Sequence, residues 1–88
     1  MGDLLALKTE IIKKYGTPCA VVDLNVLEEN ISRVQKLCDE AGVSNRPHIK
    51  THKSGEIARM QLNAGASGVT CQKLGEAEVM ASAGVKDI

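Results

Sequence analysis

"EAGVSNRPHIKTHK", residues 40–53, decides the fold, because a helix ends and a strand begins within it. Gly42 sits where a left-handed helix C-cap belongs, a conformation that is costly with a Cβ and cheap for glycine. Beyond it, "RPHIKTH" (residues 46–52) has the length and turn-bounded edges of a strand. The same punctuation recurs in "NAGASG" from Asn63 and "SAGVKD" from Ser82, placing Gly65 and Gly84 at equivalent points. Each motif closes a helical stretch and opens a strand-like run, the spacing of βα units.

The rest of the chain fits this rhythm. Leu4, Leu7, Ile11 and Tyr15 lie on one face of a helix stopped by Gly16, Thr17 and Pro18. "CAVVDL" (residues 19–24) is a nearly continuous apolar run, as expected of a strand covered on both faces. Asn25 and Glu28 have capping-box spacing. They open a helix whose apolar face is Leu27, Ile31, Val34, Cys38 and Ala41. Ser54 caps the next helix, through Ile57, Met60 and Ala64, with Glu56 in the first turn where the helix dipole favours an acid. "GVTCQ" (68–72) reads as a third strand, "GEAEVMASAG" (75–84) as a further helix, and "KDI" as the opening of a fourth strand. The predicted order is α-β-α-β-α-β-α, an α/β fold with parallel strands and right-handed crossovers.

Eighty-eight residues suffice for one small domain. A charged fraction of 25% and a hydrophobic fraction of 43% are ordinary for a globular protein. The single ring, Tyr15, is not, and leaves the core to Leu, Ile, Val, Ala and Met. Three or four parallel strands cannot cover their own faces and edges, and a closed (β/α)₈ barrel takes about 250 residues. The expectation is the N-terminal part of a larger α/β protein; a self-sufficient three-stranded domain is the alternative. Cys19, Cys38 and Cys71 have no C-x-x-C spacing and read as reduced thiols. Lys8, Asp3 and Glu10 interrupt the N-terminal leucines, and Ala6 breaks the myristoylation pattern, so a cytoplasmic protein is the default.

Residues 46–53 concentrate Arg46, Lys50, Lys53, His48 and His52 in a chain of zero net charge. On a strand, side chains alternate, so His48, Lys50 and His52 share a face that Arg46 begins, while Pro47, Ile49 and Thr51 point the other way. Lys50 then lies near the carboxyl end of a parallel strand, where α/β folds place their chemistry. A free lysine, with a pKa of about 10.4, is almost all ammonium at neutral pH. Desolvation and neighbouring cations are what expose a nucleophilic amine. Solvated charge at a strand end is the plain alternative. Neutral overall charge and a lone ring disfavour nucleic acid. His48 and His52 without a third ligand make no metal site, and no Walker or G-x-G-x-x-G loop is present.

Taken together, "TPCAVVDLNVLEENI" and "RPHIKTHKSGEIARMQLNAGASGVTCQKLGEAEVMASAGVKDI" resemble the barrel start of the D-threonine aldolase and D-serine dehydratase family, pyridoxal-phosphate enzymes of fold type III related to alanine racemase. The likeness runs from Thr17 to Ile88, and R-P-H-x-K-T-H-K is its most specific element. It implies that residues 1–88 are the first (βα)₃ portion of a pyridoxal-phosphate-binding (β/α)₈ barrel, with a β-rich second domain elsewhere and a homodimeric assembly. By the resemblance, Lys50 is the Schiff-base lysine. His52 is a pocket-lining donor or a structural residue. Gln72 and Cys71 face the barrel mouth, with Gln72 contributing to cofactor binding. Asp23 lines that mouth or, as its position favours, caps the turn before Asn25; Asn30 reads as helix polarity. The implied activity is retro-aldol cleavage of a D-threonine-like substrate to glycine and an aldehyde, with D-serine dehydration or racemisation as alternatives. A divalent metal (Mn, Mg, Zn or Co) is implied too, with ligands outside this chain. On this reading 88 residues alone have no appreciable turnover. A non-catalytic cofactor-binding module, or a fragment that binds nothing, is the competing class.

Overall fold

The structure, a computed structural model, describes residues 2–88; Met1, first residue of the predicted 1–88 domain, lies outside them. Four helices follow in order: α1 (Gly2–Tyr15), α2 (Leu24–Ala41), α3 (Gly55–Ala64) and α4 (Leu74–Ser82). Each falls where apolar periodicity predicts one. The start of α2 differs from expectation. Asp23, not Asn25, is its N-cap, and its carboxylate accepts from the amides of Asn25 (3.0 Å) and Val26 (3.3 Å). These are amides that a first helical turn leaves unpartnered, so the helix begins two residues earlier than the predicted Asn25–Glu28 capping box. Ser54 caps α3 as expected, accepting from the Ile57 amide at 3.2 Å. Gly42 ends α2 in the left-handed conformation, φ 70°, whereas Gly84 lies one residue past the α4 cap, Ala83.

The three predicted strands are not realised as strands among the described residues. A single parallel bridge, His48 to Thr70, stands in their place. The Ile49 amide donates to the Thr70 carbonyl (3.0 Å) and the Thr70 amide to the Pro47 carbonyl (2.8 Å). The Ser67 amide donates to Asn45 (2.9 Å) and the Val69 amide to Asp87 (3.0 Å). Residues 45–49 therefore run parallel to 67–70, which lie in turn against 85–87. The pairing stays short for local reasons. Pro47 has no amide hydrogen to donate. The Lys53 amide turns back to the Ile49 carbonyl (2.8 Å), which ends the run before Lys50. Residues 19–22, expected as the first strand, bridge to nothing described, and Val21 and Val22 are 66% and 56% exposed.

The core forms on one side of this layer. Ile49, Val69 and Val85, one from each stretch, are buried against Ala58 of α3 and Met80 of α4. Leu62 and Cys71 pack at its edge. It contains no ring, as the composition requires. α2 packs on α3, but its most buried residue is Gln35 rather than a member of the predicted stripe; Val34 and Ala41 are exposed. Gln35 donates to Asp39 (2.9 Å) and accepts from the Asn45 amide nitrogen (3.2 Å). It thereby joins α2 to the start of the parallel layer, and its pairing offsets the cost of burying an amide.

Candidate functional site

With Ile49 in the core, alternation sends its neighbours His48 and Lys50 to the opposite face of the layer. Lys50 is exposed. Its backbone amide donates to His48 Nδ1 at 3.1 Å. A ring nitrogen that accepts from an amide carries no proton, so neutral His48 bears its hydrogen on Nε2. Lys50 opens a turn rather than continuing a strand. Lys53, at the end of that turn, has φ 53°, the left-handed region at a non-glycine residue. Among the described residues the basic partners of ion pairs are Lys36, Arg46 and Lys53, not Lys50.

The predicted shared face of His48, Lys50 and His52 does not form. The turn after Ile49 breaks the alternation, and His52 lines the same groove as Pro47 and Thr51, beside Ile57 and Gln61 of α3. Both ring nitrogens are engaged. Nδ1 accepts from the Ser54 amide (2.9 Å), which places the proton of the neutral ring on Nε2, 3.3 Å from Gln61 Oε1. Those bonds fix the start of α3.

At the exit of residues 67–72, Glu76 gathers the local charges. Its Oε1 accepts from the amides of Gln72 (2.9 Å) and Lys73 (3.3 Å). Its Oε2 stands 4.0 Å from Lys53 Nζ, and its side chain is only 9% exposed. The Gln72 amide bond does most to hold the Glu76 carboxyl below the usual range. Burial opposes it, while the Lys73 amide, Lys53 and His48 reinforce it. The Cys71 thiol is pushed up by burial and then by Glu76. Cys71 packs at the edge of the core and also borders the open groove next to Gln72. Gln72 is exposed and lines an open groove with Arg46, Thr70, Lys73 and Asp87.

Arg46 and Asp87 form a pair that sequence reading misses. Two parallel bonds, Nη1 to Oδ1 at 2.9 Å and Nη2 to Oδ2 at 3.0 Å, join residues 41 apart. The guanidinium's hydrogen bond, then its charge, lowers the Asp87 carboxyl from its ordinary value. The pair passes over Gly68, where a Cβ would lie 2.6 Å from Arg46 Nη1 and 2.5 Å from the Asp87 carbonyl oxygen. Nothing in local spacing announces it, since it depends on three stretches lying side by side.

Residues 22–88 match the family described as alanine racemase, N-terminal domain. The chain belongs to that family. The D-threo-3-hydroxyaspartate dehydratase of Delftia sp. (strain HT23) is 50% identical over 72 residues, 82% of this chain and 19% of that protein. The 3-hydroxy-D-aspartate aldolase of Paracoccus denitrificans is 42% identical over 87 residues, 98% of this chain and 22% of that one. The crystal structure of D-threonine aldolase from Filomicrobium marinum superposes with a TM-score of 0.77 at 43% identity, covering 80% of this chain and 19% of the other. The chain thus spans about a fifth of the length of the relatives it matches. Among the described residues, no three His, Cys, Asp or Glu side chains gather to hold a metal, and no helix is long and apolar enough to cross a membrane.

Proposed function

We propose that this chain is the lysine-bearing start of a pyridoxal-phosphate-dependent D-amino-acid lyase, cleaving D-threonine-like β-hydroxy amino acids to glycine and an aldehyde. One observation carries the proposal: Lys50 is exposed, on the face opposite the core, at the end of a parallel stretch, with no described carboxylate paired to it. An amine that meets an aldehyde has to be accessible and free of a carboxylate partner; the desolvation that further activates such a lysine is not supplied by the described residues, where Lys50 is exposed. The described residues fit that end of the group. They do not fit a metal, and no step is assigned to one. When bound, the cofactor supplies an electron-withdrawing ring for the bond broken at the substrate Cα.

The chain's own residues divide the remaining tasks. Lys50 holds the cofactor. His48 fixes the backbone at Lys50 through Nδ1. His52, engaged by Ser54 and Gln61, acts as a positioning residue for the start of α3. Gln72 borders the groove on the Arg46 side and belongs to the cofactor-binding set. In this proposal the parallel layer is part of an eight-stranded barrel in a cytoplasmic homodimer that acts on a small D-amino acid, not on nucleic acid or membrane.

β-Elimination is the second reading, favoured by the relative named as a dehydratase at 50% identity. Incubating the natural full-length protein with D-threonine, then D-serine, separates the two. Glycine plus an aldehyde is expected from D-threonine, with loss of product in Lys50→Ala. Pyruvate plus ammonia from D-serine, without glycine from D-threonine, would replace the aldolase with the dehydratase. Full turnover by Lys50→Ala would overturn both.

A further inference from the structure

The site holds two lysines three residues apart, and the structure treats them differently. Lys53 has the left-handed φ of 53°, a conformation uncommon outside glycine, and its ammonium reaches Glu76 Oε2 at 4.0 Å. Glu76 is fixed independently of Lys53. Two backbone amides at the start of α4 hold its other oxygen, and its side chain is nine-tenths buried. Lys50 has no such partner among the described residues.

We propose that Glu76 is a specificity-determining residue that selects Lys50 over Lys53 as the amine that captures an aldehyde. The inference rests on the reading of Lys50 as the cofactor anchor and adds how its neighbour is kept out. Capture forms one C=N bond between a neutral amine and the aldehyde carbon, and the carbonyl oxygen leaves as water with both amine protons. An amine held against a carboxylate has to leave that partner before it can add. The carboxylate also tethers the far end of the 50–53 turn to the exit of residues 67–72. The charged or titratable groups around Glu76 are Lys53 and His48 from the preceding stretch, Cys71 from the central one, and Lys73 at the start of its own helix.

The test reads where the aldehyde lands, not how fast the enzyme turns over. The natural full-length protein is incubated with pyridoxal phosphate, reduced with borohydride and peptide-mapped, as wild type, Glu76→Gln, and Glu76→Gln with Lys53→Met. Glutamine keeps an oxygen for the Gln72 and Lys73 amides but removes the charge, so helix α4 retains its cap. Wild type is expected to carry the adduct at Lys50. In Glu76→Gln the Lys53 share is expected to rise about two- to fivefold, the factor carried by one exposed ion pair. In the double variant, labelling returns to Lys50 alone. An unchanged Lys50-to-Lys53 ratio in Glu76→Gln, with Lys50 still labelled, overturns the selection by Glu76 and leaves the anchor standing. No Lys50 adduct in wild type overturns the anchor itself.

Discussion

Residues 45–88 and residues 2–24 carry equally clear apolar patterns, yet only the first set is enclosed. Ile49, Val69 and Val85 are buried between the parallel layer and helices α3 and α4. Leu4, Leu5, Leu7, Val21 and Val22, by contrast, are each more than half exposed, and Leu4, Leu7, Ile11 and Val21 line an open groove between α1 and the chain that follows it. Periodicity states which face of an element is apolar; it does not state what covers that face. The two regions differ in having partners, not in having patterns.

The sharpest way to break this comparison lies in the enclosed region. Ile49→Ala in the natural full-length protein is expected to cost about 2–5 kcal/mol, because a fully buried side chain leaves a cavity between two helices. A urea midpoint within error of wild type would remove Ile49 from the core. Gly68→Ala is next, at about 1–3 kcal/mol of overpacking. Its Cβ meets the Asp87 backbone oxygen at 2.5 Å, and that oxygen also accepts from the Val69 amide and cannot withdraw freely.

Val21→Ala sharpens the comparison from the other side. If the proposed barrel covers residues 19–22 in the complete protein, losing two buried methylene equivalents costs about 1–2 kcal/mol. A loss under about 0.5 kcal/mol, the range of surface substitutions, would leave that stretch as open there as it is here. At the junction of the two regions, Asp23→Ala is expected to remove about 1 kcal/mol by uncapping α2, measured by thermal unfolding. Acid sensitivity gives the smallest signal. Asp87 and Glu76 are both held below the ordinary carboxyl range, so the stability each contributes is complete above the unfolded value, roughly 4, and is lost as pH falls through the lower folded value. Asp87→Asn is expected to flatten that acid limb in a circular-dichroism titration, and an unaltered limb would show the Arg46 pair to be inert.

Helices were legible because their signals are local. The 3.6-residue periodicity, Ser54 as a cap and Gly42 as a stop each act within one turn, and all are found. Asp23 displaces the Asn25–Glu28 box because its carboxylate, two residues earlier, takes the Asn25 and Val26 amides, and the Leu27 amide is already bonded to the Asp23 carbonyl. Strand continuity was not legible, since it depends on what each stretch lies against. Residues 45–49 and 67–70 pair through one bridge, and 19–22 finds no neighbour among the described residues. In the site, alternation sets Lys50 against the buried Ile49, but Lys50 is exposed, where the reactive-lysine reading asks for desolvation and only the solvated-charge alternative asks for exposure. His52 did not follow that pattern, because the Ile49–Lys53 turn resets the alternation before it. Glu76 and the Arg46–Asp87 pair arise from contacts between separate stretches, which no spacing rule records.

The central claim is that Lys50 is the amine that holds the cofactor. Borohydride reduction of the natural full-length protein with pyridoxal phosphate, followed by intact mass and peptide mapping, tests it most directly. The account predicts one reduced adduct per chain, on the peptide containing Lys50, and its loss in Lys50→Ala. An adduct confined to another lysine, labelling scattered over many, or none at all would contradict it.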